Sequence, residues 1–220
     1  MHRAHLYLTA ACLLATTTAP LAAQGFEGAI QFVNYDRKTG APKDTMTQIT
    51  KGSKIRLEGI GHGGAMIMDG DKRIFVMPEK KSYMMMPASM MEGDANDKIE
   101  KKVGTAENTG RTLTVAGVKC DVWHYKGTKD DGTPQEGDAC LAPGTGMMVG
   151  KFMSRRMPQY FTGGKALSEA LMKGMGVMQA SENGKVVFTA ISVKPASVPD
   201  AVFAPPPDYK ALDMSSMGRP

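Results

Sequence analysis

The side chains of this 220-residue chain that could ligate a metal, carry electrons or attack a substrate are three cysteines, four histidines and nineteen methionines. Cys12 lies in an N-terminal apolar run and leaves the argument with it. Cys120 and Cys140 flank the turn-rich segment from Gly127 to Pro134. A hairpin centred near Asp130 sets them opposite each other, and an even pair of cysteines in an exported chain reads as a disulfide between neighbouring strands. Closing a loop of that size contributes about 3 kcal/mol by chain entropy. A redox or nucleophilic reading lacks the Cys-x-x-Cys spacing. The same register places Glu136 opposite His124, a cross-strand pair that is a sufficient structural role for that histidine. His62, in the loop Gly59-Ile60-Gly61-His62-Gly63-Gly64, has no companion ligand nearby and reads as an exposed loop residue.

Methionine is the unusual residue. It clusters at Met66 and Met68, at Met84, Met85 and Met86 with Met90 and Met91, at Met147 and Met148, at Met153 and Met157, and at Met172, Met175 and Met178. Three uses fit. Flexible thioethers pack irregular cores in a protein short of aromatic residues, or line a cavity for apolar ligands. As soft ligands they also suit copper(I), with Met84, Met86, Met90 and Met91 as the set around Pro87. Adjacent strand residues point to opposite faces, so Met85 turns away from that set.

Catalytic patterns are missing. There is no Gly-x-Ser-x-Gly elbow, His-Glu-x-x-His pair or phosphate-binding glycine loop. Asp69 and Asp71 flank Gly70 in a turn rather than a calcium loop. The net charge of +5 is spread over both signs, with no basic stripe for nucleic acid. The expectation is a protein that is not an enzyme, with no cofactor and no resident metal.

These side chains need elements to position them. Residues 1–23 carry Arg3, an uncharged run from Leu6 to Ala19 and the small residues Ala22-Ala23, the pattern of a cleaved secretory signal peptide. Without Arg3 the charge becomes +4, and the compartment is the periplasm. From Phe26 onward, period-2 alternation predicts strands at Phe26–Phe32, Met46–Thr50, Lys54–Glu58, Ala65–Met68, Arg73–Met77 and Ser82–Met86. Polar Glu92–Gly110 reads as a surface loop. Strands resume at Arg111–Val115, Cys120–Lys126 and Glu136–Leu141. Two helical stretches follow, a short one at Lys151–Met157 and a clearer amphipathic one at Lys165–Lys173. A closing hairpin from Met178 to Lys194 turns at Asn183-Gly184. Pro205 to Tyr209 is an extended strap. The pattern predicts an α+β, mainly β, single domain over 24–210: one strongly curved antiparallel sheet, a half-barrel, with helices covering its concave face. Residues 211–220 are a flexible tail.

Phe26-Glu27-Gly28, Lys54-Ile55-Arg56-Leu57-Glu58, Met66-Ile67-Met68-Asp69 and Val76-Met77-Pro78-Glu79-Lys80-Lys81-Ser82-Tyr83-Met84 resemble the front half of an exported bacterial family, domain of unknown function 4412. Ala116-Gly117-Val118-Lys119-Cys120 with Trp123, and Ala201-Val202-Phe203-Ala204-Pro205-Pro206-Pro207-Asp208-Tyr209-Lys210, resemble its later signatures. That family is similar to the LolA/LolB-like half-barrels, whose better-known relatives carry lipoproteins or lipids across the periplasm. The resemblance defines no catalytic residues. Lipoprotein carriers use a basic residue at a cavity position for which no equivalent can be placed here.

The reading that joins these observations is a periplasmic, non-enzymatic carrier, monomeric and without a membrane span once the signal is cleaved. It shelters an acyl chain or other apolar ligand between sheet and helices. Its lining residues are Ile30, Phe32, Leu57, Met66, Met68, Met84, Met86, Leu167 and Leu171. The alternatives are a copper(I) protein using Met84, Met86, Met90 and Met91, and a structural envelope protein that pairs with another protein through its sheet edge.

Overall fold

The computed structural model describes residues 26–61, 63–86, 104–128, 132–145, 167, 169–171 and 173–212. Within them the protein is mainly β, and twelve strands form one open sheet. The first meander is β1 (Gly28–Tyr35), β2 (Pro42–Lys51), β3 (Lys54–Ile60), β4 (Gly64–Asp69), β5 (Lys72–Met77) and β6 (Ser82–Met85). The second is β7 (Thr105–Val115), β8 (Val118–Thr128), β9 (Pro134–Pro143), β10 (Met175–Glu182) and β11 (Lys185–Pro195). Pairing of β1 with β11 joins the two, in the order β12-β6-β5-β4-β3-β2-β1-β11-β10-β9-β8-β7. Every pairing is antiparallel except that of β12 (Lys210–Leu212) beside β6.

Tight turns build the meanders because their residues adopt left-handed backbone. Asn183 and Gly184 have φ of 50° and 78°, and Ala116 and Gly117 have 49° and 81°. Positive φ at both central residues matches the twist of a two-residue hairpin, which is why Asn-Gly announces one in a sequence.

Alternation sorts the side chains onto two faces. One face carries Ile55, Leu57, Met66 and Met68, and continues through Met46 to Ile30, Phe32, Val122, Cys140 and Met178. The Phe32 and Phe188 rings stack there with centroids 4.8 Å apart. The opposite face has two covers. Val198 and Phe203, from the segment after β11, pack on Ala65, Ile67, Ile74 and Val76. Leu167, Ala170 and Leu171 pack on Tyr125, Ala139 and Leu141. Polar contacts hold the first cover: Val198 N donates to Glu27 Oε1 at 2.7 Å, Lys51 Nζ to Val198 O at 2.9 Å and Arg56 Nη1 to Val202 O at 3.1 Å. As a result β4 is buried on both sides. Cα atoms of β7 and β11 approach within 8 Å, although β10, β9 and β8 lie between them in the sheet order.

Three expectations are corrected. Thr105–Gly110, read as part of a polar loop, is the first half of β7. It is an edge strand exposed along most of its length, so no buried face imposed apolar alternation on it. The β8–β9 hairpin pairs Thr128 with Pro134 and Val122 with Cys140, so its centre lies one residue later than Asp130. The sheet also runs past residue 210, through Leu212. The expected signal at 1–23, the 151–157 helix, His62, Met90, Met91 and residues 213–220 lie outside the described residues.

Candidate functional site

Seven of the nine expected lining residues share one face. The strand register sets Ile30 beside Gln48, Gln48 beside Leu57, Leu57 beside Met66, Met66 beside Phe75 and Phe75 beside Met84, a single row across β1 to β6. Met68 follows two residues along β4, next to Ile55. Phe32 lies beside Met46, and Met86 packs against the Leu57 cluster. Met85, between Met84 and Met86, is 51% exposed, as alternation requires.

Leu167 and Leu171 do not join them. Along β8 and β9 their partners Tyr125, Ala139 and Leu141 alternate with Val122, Cys140 and Ala142, which belong to the Ile30 core. The described helical residues therefore lie against the face opposite the row. An amphipathic helix specifies its own apolar stripe but not the side of the sheet on which it lands.

The row contains one buried polar side chain that the sequence reading passed over. Gln48 is 2% exposed, and its Nε2 donates to Thr50 Oγ1 at 3.1 Å. Its signal was present in the alternation Met46, Gln48, Thr50, the inward positions of β2. Burying a carboxamide costs free energy unless its hydrogen bonds are met, so the Thr50 contact matters to this face.

The cysteines form a disulfide with Cα atoms 5.4 Å apart. Because Cys140 pairs with Val122 in the ladder, the bridge is diagonal rather than directly cross-strand. Moving the hairpin centre by one whole residue preserves facing parity, so both sulfurs stay on the same side. The shift does change the histidine's partner. His124 sits beside Asp138, with Nδ1 2.8 Å from Oδ1, while Glu136 pairs with Lys126. Arg111 Nη2 donates to the other Asp138 oxygen at 2.8 Å. Burial alone would raise the Asp138 pKa, but the hydrogen bonds from His124 and Arg111 outweigh it and hold the carboxyl below its ordinary value. Among the described residues, no three His, Cys, Asp or Glu side chains are grouped to hold a metal ion.

Beside this cluster, Tyr125 lies against β9 at Gly137 and donates from its hydroxyl to Ser181 O on β10 at 2.8 Å. A Cβ at Gly137 would stand 1.9 Å from that oxygen and 2.8 Å from the phenol. Burial, with the Glu182 charge adding, pushes the Tyr125 pKa up to about 12. The group is structural: a buried phenol that spans one strand to satisfy a carbonyl on the next.

A family profile described as a domain of unknown function (DUF4412) matches residues 26–209, from two residues before β1 to the residue before β12. The chain belongs to that family. The DUF4412 match spans both meanders and the segment after β11 that carries Phe203, so strands β1 to β11 are its structural content. No curated protein matches the chain. Among the described residues, no helix is long and apolar enough to cross a membrane.

Proposed function

We propose that this DUF4412 protein is an exported periplasmic, non-enzymatic binding module, similar to the LolA/LolB-like half-barrels, that shelters an acyl chain or comparable apolar ligand against one face of its sheet. The observation that carries the reading is the row Ile30, Leu57, Met66, Phe75 and Met84, interrupted only by Gln48. Thioethers and branched aliphatic side chains offer a wide apolar surface that adapts to chains of varied shape. The close approach of β7 to β11 supports a sheet curved around that face. In this reading Leu167 and Leu171 stiffen the outer side of the sheet instead of lining the ligand.

Native mass spectrometry of protein taken from the periplasm tests the proposal, followed by titration of delipidated protein with a fluorescent fatty acid. The expected results are a lipid-sized mass adduct and saturable binding after its removal. Absence of both would overturn the carrier reading, and a copper adduct under reducing conditions would transfer the methionines to the metal reading.

A further inference from the structure

A hollow of about 490 Å³ opens where the β1–β2 turn meets the β10–β11 hairpin. It is separate from the methionine row: Thr189, in its wall, pairs with Val33, which alternates with Phe32 along β1. The volume falls in the range of about 300–1,000 Å³ occupied by small-molecule sites.

Its walls are held before any ligand arrives. Asp36 Oδ1 accepts hydrogen bonds from Lys38 N at 2.9 Å, Thr39 N at 2.7 Å and Thr39 Oγ1 at 3.0 Å, which fixes the turn. The neighbouring Arg37 reaches the hairpin, with Nε 2.6 Å from Glu182 Oε2, and the Glu182 side chain is only 5% exposed. A rigid turn is thus pinned onto the hairpin by a partly buried ion pair. Such preorganisation removes ordering costs from binding.

The lining has a definite chemistry. Tyr35 and Val186 supply apolar surface, and the Gln179 amide supplies a neutral group that both donates and accepts hydrogen bonds. The Thr39 and Thr189 hydroxyls, which donate to Asp36 Oδ1 and Ala190 O, offer acceptor oxygens. Lys185 supplies one ammonium. It faces Glu182 across the two-residue turn, and that carboxylate is bridged to Arg37.

We propose that this hollow is a binding site for a carboxylated sugar or a polyol of similar size. The Tyr35 ring is its platform, the hydroxyls and the Gln179 amide meet the ligand's hydroxyls, and Lys185 meets its carboxylate.

Amide chemical-shift titration of the isotope-labelled full domain with D-glucuronate, against D-glucose, tests it. The expected result is saturable shifts confined to Thr39, Gln179, Val186 and their neighbours. Glucose should bind at least about threefold more weakly, as should glucuronate to Lys185→Met, the scale of one lost exposed charge contact. Tyr35→Ala should remove the saturable shifts while Lys185→Met, altered only at an exposed position, keeps the native spectrum. Shifts that do not saturate at concentrations on the order of 10 mM, or that map elsewhere, would overturn the site. Equal affinity for glucose and glucuronate would overturn the role of Lys185.

Discussion

Replacing Tyr125 with Phe separates two contributions that act in opposite directions with pH. Below pH 10 the hydroxyl donates to Ser181 O at 2.8 Å from a buried ring. Its removal leaves that carbonyl without the phenol's hydrogen bond, a loss of about 1–2 kcal/mol. Above pH 10 the phenol becomes a liability. An unfolded tyrosine ionises near pH 10, whereas burial pushes the folded group up to about 12. The folded state therefore prefers the protonated form, and this contribution is complete below the unfolded pKa and is lost as pH rises through the folded one. Linkage puts the loss at about 1 kcal/mol by pH 11 and about 2 kcal/mol by pH 12, tending to about 3 kcal/mol beyond. The assay is urea unfolding of both proteins from pH 8 to 12, with incubation short enough to leave the disulfide intact. Lysines and the other tyrosines titrate in both proteins, so the difference between the two isolates Tyr125. Wild type should be the more stable at pH 8, and the gap should close near pH 12. A gap that stays constant across that range would refute the burial argument.

The disulfide and the segment after β11 lend themselves to equally direct tests. Cys120→Ala with Cys140→Ala opens a bridge spanning 20 residues, and should cost about 3 kcal/mol in denaturant unfolding; an unchanged midpoint would mean that the bridge constrains nothing. Phe203→Ala should cost about 3–5 kcal/mol, because the ring is buried against Ile67 and Val76. A loss below 1 kcal/mol would show that the segment after β11 only rests on the sheet.

Much of the sheet could be read from the chain because half-buried antiparallel strands write their two faces into alternate residues. Phe26 to Met86 shows this, and so does the Asn183-Gly184 turn, whose residue types match its backbone. Thr105–Gly110 carried no such record, since an edge strand exposed on both sides leaves its side chains free to be polar. The β8–β9 centre was misplaced for another reason. Thr128 pairs with Pro134 across a five-residue connection, and polar turn residues mark that a reversal occurs without fixing its midpoint. His124 consequently meets Asp138 and not Glu136.

The candidate site divides along the same line. Ile30, Phe32, Leu57, Met66, Met68, Met84 and Met86 come together because each was taken from a strand, where parity of position determines the face. Neighbouring strands in register then add their inward residues to one row. Leu167 and Leu171 were taken from a helix, whose period identifies an apolar stripe but carries no information about which sheet face receives it. Only Tyr125, Ala139 and Leu141 decide that, through contacts remote in sequence. Gln48 shows the converse. A carboxamide is ordinarily exposed, yet Ile30 and Leu57 on either side fix it inward with Met46 and Thr50. In a sheet of this kind, strand parity is therefore better evidence of a residue's face than its polarity.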